Sequence, residues 1–108
     1  MNRLIAINSE CTKSNKEIVD YILSLFNKDK RFRIVKQKIK KNNFFIYNLI
    51  IKLSGESNKN PLVFSGHTDT VPASSTWREN PLKALKIKNK IYGLGSSDMK
   101  GSLALMIY

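Results

Sequence analysis

The most informative segments of the sequence are S-G-H-T-D-T-V-P at residues 65–72 and Y-G-L-G-S-S-D-M-K-G at residues 92–101. The first segment contains the only histidine of the chain, His67, two residues before Asp69. The second segment places Asp98 in a glycine-rich turn. Imidazole nitrogen and carboxylate oxygen are ligands that zinc accepts in catalytic sites. The two segments therefore predict a metal site built from two loops that are distant in the sequence.

The residues around the first segment predict where its histidine lies in the fold. Leu62-Val63-Phe64 is a short, continuous apolar run, which is typical of a strand buried on both faces. His67 would follow the carboxyl end of that strand, where ligands bind in open α/β sheets. The residues from Lys100 to Tyr108 have the apolar content of a helix, which we expect to follow the turn that holds Asp98.

The rest of the chain predicts further helices and strands. Leu4–Ile7 favours a short helix or turn, and residues 14–17 match the S-x-x-E capping box at the start of a helix. Runs rich in β-branched and aromatic residues predict strands. These elements are a helix over Asn15–Asn27, strands over Phe32–Gln37 and Asn43–Leu53, a polar loop over Ser54–Asn60, and a hairpin of Leu85–Lys88 with Lys90–Gly93. Their order predicts the α/β class, with helices packed on a mixed sheet.

The composition and charge bear on whether the chain binds nucleic acid, forms a disulfide or spans a membrane. The net charge is +11 over 108 residues, and Lys28–Lys41 holds eight basic residues and one acid. Such a stretch suits nucleic-acid phosphates, but its basic and apolar residues alternate as in a strand with one solvated face, and no recognition motif accompanies them. Cys11 is the only cysteine, which excludes an internal disulfide and agrees with a cytoplasmic location. The apolar runs are too short to span a membrane.

Each of the two motifs has another interpretation when it is taken alone. A single histidine near a strand end is usually a hydrogen-bonded residue without a metal. The glycine-rich segment also suits a turn that cradles phosphate, although Asp98 stands where the third glycine of G-x-G-x-x-G would be. Trp77 is interpreted as a packing or lid residue.

Taken together, the motifs resemble a known family. S-G-H-T-D-T-V-P, then W-x-x-N-P, then I-Y-G-L-G-S-S-D-M-K-G-S resembles the dinuclear zinc amidohydrolases that include acetylornithine deacetylase, succinyl-diaminopimelate desuccinylase and the aminoacylases. The resemblance implies that residues 1–108 are the N-terminal part of one zinc-peptidase-like catalytic domain, truncated at its C-terminal side. It implies that His67 is the terminal ligand of one zinc and that Asp98 bridges two. It also implies that Asp69 is a catalytic residue orienting His67, and that the Asp98–Met99 peptide is cis.

The same resemblance implies a reaction, cofactors and partners. The reaction would be hydrolysis of the C–N amide bond of an N-acyl amino acid by a metal-bound water, with one or two zinc ions or with cobalt. Acetylornithine deacetylase is favoured, and a desuccinylase or a small-peptide carboxypeptidase of the same family is the alternative. Full-length members are expected to be cytoplasmic and often homodimers. The family's Glu-Glu pair and second histidine have no counterpart here, so we expect weak metal binding and no activity from these residues alone. A non-catalytic remnant and a basic nucleic-acid-binding module remain as alternatives of a different class.

Overall fold

A computed structural model describes residues 1–56 and 59–108. The predicted loop over Ser54–Asn60 therefore lies partly outside the described residues. The helices are α1 (Asn2–Ala6), α2 (Lys16–Phe26) and α3 (Gly101–Ile107), with a π-helical turn at Ser96–Lys100. The strands are β1 (Phe32–Lys41), β2 (Phe44–Leu53), β3 (Leu85–Ile87) and β4 (Lys90–Tyr92).

Helix α2 carries the apolar face around which the core forms. Its bounds differ from the predicted ones by one residue at each end. Ile18, Val19 and Ile22 are buried, and they pack with Leu4 of α1 and Leu103 of α3. Side chains of β2 pack against the same cluster. The core therefore lies between the three helices and the inner face of the first hairpin.

The start of α2 is fixed by Asn15 and not by the predicted capping box, so that prediction is wrong. The helix has no side-chain cap, and the Ser14 hydroxyl accepts a long bond, 3.3 Å, from the Lys16 N–H. The Asn15 amide accepts from the Tyr47 N–H at 2.8 Å and donates to the Tyr47 carbonyl at 2.9 Å. It also donates to the Thr68 hydroxyl at 3.0 Å. Because an amide has both a donor and an acceptor, it joins α2 to both backbone groups of one strand residue.

The first hairpin is longer than the sequence pattern predicts. Strand β1 continues to Lys41, beyond its predicted end at Gln37. Its ladder with β2 is antiparallel and pairs Phe32 with Leu53 at one end and Lys41 with Phe44 at the other. A two-residue turn remains, and Asn42 adopts a φ of 49° there, as such turns require. The lysines do not end the strand, because alternate side chains can face solvent while the backbone stays paired.

The predicted buried strand at Leu62-Val63-Phe64 is wrong. The three residues are exposed to 81%, 75% and 66%. No strand in the described part of the chain pairs with them. A strand is stable only when neighbours satisfy its backbone groups and cover its apolar face, so an apolar run alone does not produce one. His67 consequently lies on a loop and not at the end of a strand.

The second hairpin and the final helix are confirmed. Strands β3 and β4 form an antiparallel pair, and α3 follows the turn that holds Asp98. The α/β class is confirmed as well. Within the described residues both ladders are antiparallel, and parallel pairing occurs at the bridge between Glu10 and Thr70. None of the helices in this part of the chain has the length and apolarity needed to cross a membrane.

Asp20 joins α2 to β1 and should make stability depend on pH. Its carboxylate forms ion pairs with Lys16 and Lys36. The hydrogen bond from Lys16, followed by that from Lys36, lowers the pKa of Asp20.

A lowered folded-state pKa gives a stabilisation that is complete above the unfolded value of about 3.9 and is lost as the pH falls through the folded value. We expect the stability difference between wild type and Asp20→Asn to be constant near neutral pH and to shrink below about pH 4. Urea unfolding from pH 3 to 7 measures it, and a difference that grows on acidification would contradict the assignment.

Candidate metal centre

The fold brings together the imidazole and the carboxylate that the two motifs single out. His67 Nε2 lies 2.9 Å from Asp98 Oδ1. His67 lies on a loop before β3, and Asp98 lies in the π-helical turn after β4. The imidazole is 47% exposed and the carboxylate 86% exposed, so both remain accessible from solvent. An N and O donor pair is thus already assembled at one point of the surface.

The second ring nitrogen of His67 faces Asp69. Nδ1 lies 3.1 Å from the Asp69 backbone carbonyl and 3.4 Å from the Asp69 carboxylate. The nearer oxygen is the carbonyl, although the resemblance points to the side chain. An acceptor at Nδ1 fixes the ring orientation and leaves Nε2 aimed at Asp98.

The two neighbouring carboxylates also change the acidity of the ring. Partial burial alone would lower the pKa of His67. Hydrogen bonds to the Asp98 carboxylate and the Asp69 carbonyl, together with the charges of both aspartates, outweigh that cost and raise the pKa of His67 above its ordinary value. The raised pKa widens the pH range over which both ring nitrogens carry a proton, and such a ring can donate N–H bonds to both aspartates.

A break in the helix after β4 aims Asp98 at the histidine. Asp98 has φ −124° and ψ 97°, which interrupt the helical turn of Ser96–Lys100. The Asp98–Met99 peptide is cis, as the resemblance implies. The Met99 sulfur accepts a hydrogen bond of 3.3 Å from the His67 backbone N–H, so it contacts the other loop. Asp98 thus contacts the imidazole of His67, and Met99 contacts its backbone N–H.

Gly95 is required at the start of this turn. Its φ is +75°, and a Cβ built there would lie 2.6 Å from the Thr70 side chain. We expect Gly95→Ala to lower the free energy of unfolding by roughly 1–3 kcal/mol, because left-handed backbone strain and the clash add together. Gly55→Ala is the matched control, since a Cβ at that position meets nothing within 4 Å. Urea unfolding compares the two, and an equal effect at both positions would contradict this explanation.

A cavity opens beside the donor pair. Its volume is about 390 Å³, and its lining combines the three predicted site residues with small and apolar neighbours. The lining residues are Cys11, His67, Asp69, Thr70, Val71, Trp77, Gly93–Ser97 and Asp98. Trp77, interpreted from sequence as a packing or lid residue, lies in the cavity wall and is 38% exposed. The cavity is large enough for a small polar substrate next to the donor pair.

The donor chemistry fits zinc, but the number of donors is small. Zn–N and Zn–O bonds of about 2.0–2.1 Å at a tetrahedral angle would separate the two donor atoms by about 3.3 Å. The observed 2.9 Å between His67 Nε2 and Asp98 Oδ1 therefore needs to open by only a few tenths of an ångström. Within residues 1–56 and 59–108, no group of three or more His, Cys, Asp or Glu side chains is placed to hold an ion. This part of the chain places two candidate donor side chains together, fewer than the three ligands that a catalytic zinc takes.

Sequence reasoning missed the residues that support the two loops. Ser9 and Lys100 are almost completely buried, and both side chains donate hydrogen bonds to backbone carbonyls. Burial lowers the pKa of Lys100, because the charged ammonium loses solvation. In the sequence, the role of Lys100 is indicated by its position directly before an apolar helix. Its pattern does not indicate the role of Ser9, because that role depends on a contact between distant segments.

Comparison with known proteins gives consistent matches. Residues 63–108 match the profile of peptidase family M20/M25/M40. An acetylornithine deacetylase of Buchnera aphidicola subsp. Schizaphis graminum is 35% identical over 94% of this chain. A succinyl-diaminopimelate desuccinylase of Buchnera aphidicola subsp. Cinara cedri is 50% identical over 43% of the chain, and an acetylornithine deacetylase of Vibrio cholerae is 46% identical over 55%. The chain spans 26%, 13% and 15% of these three relatives.

Proposed function

We propose that this chain, whose residues 63–108 match peptidase family M20/M25/M40, contributes two metal ligands to a hydrolase of N-acyl amino acids. The observation that carries the proposal is the contact of 2.9 Å between His67 Nε2 and Asp98 Oδ1, which joins the two motifs. Residues 1–108 form the N-terminal part of one catalytic domain in this proposal. Further ligands, a general base and any dimerisation domain would come from sequence outside these residues.

Each site residue has one proposed role. His67 would hold zinc through Nε2, and the Asp98 carboxylate would hold the metal beside it, as one or two zinc ions or as cobalt. Asp69 orients the imidazole through its carbonyl at 3.1 Å and its carboxylate at 3.4 Å. When bound, the metal supplies Lewis-acid chemistry for cleavage of a C–N amide bond. Two protein ligands hold a metal weakly, so we propose that the 108 residues alone do not hydrolyse substrate.

The proposed substrate is N-acetylornithine. The relatives that match most of this chain are named acetylornithine deacetylase, whereas the desuccinylase matches 43% of it. The cavity of about 390 Å³ beside the donor pair accommodates a molecule of that size. A succinylated diaminopimelate is the alternative substrate within the same chemistry. The proposed location is the cytoplasm, and the full-length protein is proposed to form a homodimer.

A chimera tests the function. In it, this chain replaces the segment that it matches in the Buchnera aphidicola subsp. Schizaphis graminum acetylornithine deacetylase, and the product is assayed with zinc on N-acetylornithine and on N-succinyl-diaminopimelate. We expect zinc-dependent release of acetate, with the Asp98→Asn chimera at least about 100-fold less active. A folded chimera with neither activity, or one that keeps full activity without Asp98, would contradict the proposal.

A further inference from the structure

The segment Ile7–Cys11 contacts the loop that carries the imidazole. The Ser9 hydroxyl donates to the Thr68 carbonyl at 2.6 Å, and the Thr70 N–H donates to the Ser9 carbonyl at 3.0 Å. The Cys11 N–H donates to the Thr70 carbonyl at 2.8 Å. Three hydrogen bonds therefore fix this loop, immediately before and after Asp69, to one short stretch of backbone.

Lys100 attaches the loop that carries the carboxylate to the same segment. Its Nζ donates to the Ile7 carbonyl at 2.8 Å, and its backbone N–H donates to the Gly95 carbonyl at 2.8 Å. The lysine follows Asp98 by two residues and is 1% exposed. Both ligand loops are thus hydrogen-bonded to the same segment, Ile7–Cys11.

The burial of Lys100 is not explained by stability. Lysines are almost never fully buried unless they are paired, because the ammonium loses its hydration. The hydrogen bond that its Nζ donates goes to a neutral carbonyl and not to a carboxylate. An apolar side chain of similar length would fill the same space at a lower cost. Packing therefore does not explain the ammonium group. A role in placing the adjacent turn does.

We propose that Lys100 and Ser9 are positioning residues, which set the distance between His67 Nε2 and Asp98 Oδ1 by attaching both loops to Ile7–Cys11. The inference rests on the proposed function, since the distance matters only if the two atoms share a metal. Neither residue contacts the metal itself. Each acts by holding one loop on Ile7–Cys11, in addition to the direct hydrogen bond from the His67 N–H to the Met99 sulfur.

The first test replaces Lys100 with methionine, which keeps the length of the buried stem and removes the donor. We expect the affinity of the 108-residue chain for Co²⁺, followed by its visible absorption, to fall about 10- to 100-fold, as for lost outer-shell contacts. The free energy of unfolding in urea should stay unchanged or rise. Lys36→Met is the matched control, because Lys36 is partly buried and paired with Asp20 away from the site. It should leave Co²⁺ affinity unchanged.

The second test replaces Ser9 with alanine and uses Ser24→Ala as its control. Both serine hydroxyls donate to a backbone carbonyl at 2.6 Å, but Ser24 bonds within α2. We expect Ser9→Ala to lower Co²⁺ affinity about tenfold and Ser24→Ala to leave it unchanged. If Lys100→Met does not fold, Ser9→Ala decides the proposal alone.

A metal-free measurement separates this inference from the proposed function. In the apo chain, the Asp98 carboxylate beside Nε2 should give the carbon-bound ring protons of His67 a distinct NMR signal, which Asp98→Asn identifies. We expect both variants to lose that signal, because the carboxylate is displaced. If wild type binds no Co²⁺ but the variants still lose the signal, the proposed function fails and the positioning role stands. If both folded variants keep the signal and the wild-type affinity, the positioning role is overturned.

Discussion

Replacing Asp98 with asparagine, or His67 with alanine, should lower the affinity of this chain for Co²⁺ by more than about 100-fold. Each substitution removes one of the two donor atoms that lie 2.9 Å apart. A neutral amide is also a much weaker partner for a divalent cation than a carboxylate. Titration with Co²⁺, followed by visible absorption and by calorimetry, measures the loss. This is the largest expected change in binding, because the described residues place no third ligand that could compensate.

Two further variants make that result specific. Asp29→Asn removes a half-buried carboxylate, which pairs with Arg31, and should leave Co²⁺ affinity unchanged. Asp69→Asn should lower the affinity by only about tenfold. The reason is that the backbone carbonyl of Asp69, at 3.1 Å, is nearer to His67 Nδ1 than the carboxylate at 3.4 Å. If Asp29→Asn and Asp98→Asn lowered affinity equally, the metal would be binding through general charge and not at this site.

Replacing Leu103 with alanine should produce the largest loss of stability, about 2–5 kcal/mol. Leu103 is 8% exposed and packs in the core with Ile18 of α2, so the substitution leaves a cavity between two helices. Its side chain also lies beside Gly66, directly before His67. Urea unfolding measures the loss, and a chain of ordinary marginal stability could lose much of its folded population.

Leu105→Ala is the matched control for that prediction. The residue type and the helix are the same, but Leu105 is 80% exposed. We expect its substitution to change the free energy of unfolding by less than about 0.5 kcal/mol. Equal losses for the two leucines would mean that α3 does not pack on the core in the way described.

The fold could be predicted where local patterns and local pairing coincide. Helix α2 and the β3–β4 hairpin follow directly from apolar periodicity and turn residues, because neighbours in sequence satisfy their backbone bonds. The run Leu62–Phe64 has an equally apolar pattern and is exposed. Its pairing would require a distant strand, so its local composition could not decide the outcome. The contacts at the start of α2 could not be predicted for a similar reason, because the Asn15 side chain bonds to β2 and not to its own helix.

The sequence by itself determined the chemical types at the site: one imidazole, one carboxylate two residues beyond it, and another in a glycine-rich turn. These follow from motifs, because a turn and its side chains are encoded within a few residues. Only the tertiary structure decided that Nε2 and Oδ1 approach to 2.9 Å, that a carbonyl holds Nδ1, and that Ser9 and Lys100 attach both loops to Ile7–Cys11. Those distances depend on contacts between segments that are far apart along the chain, which are fixed only when the core packs.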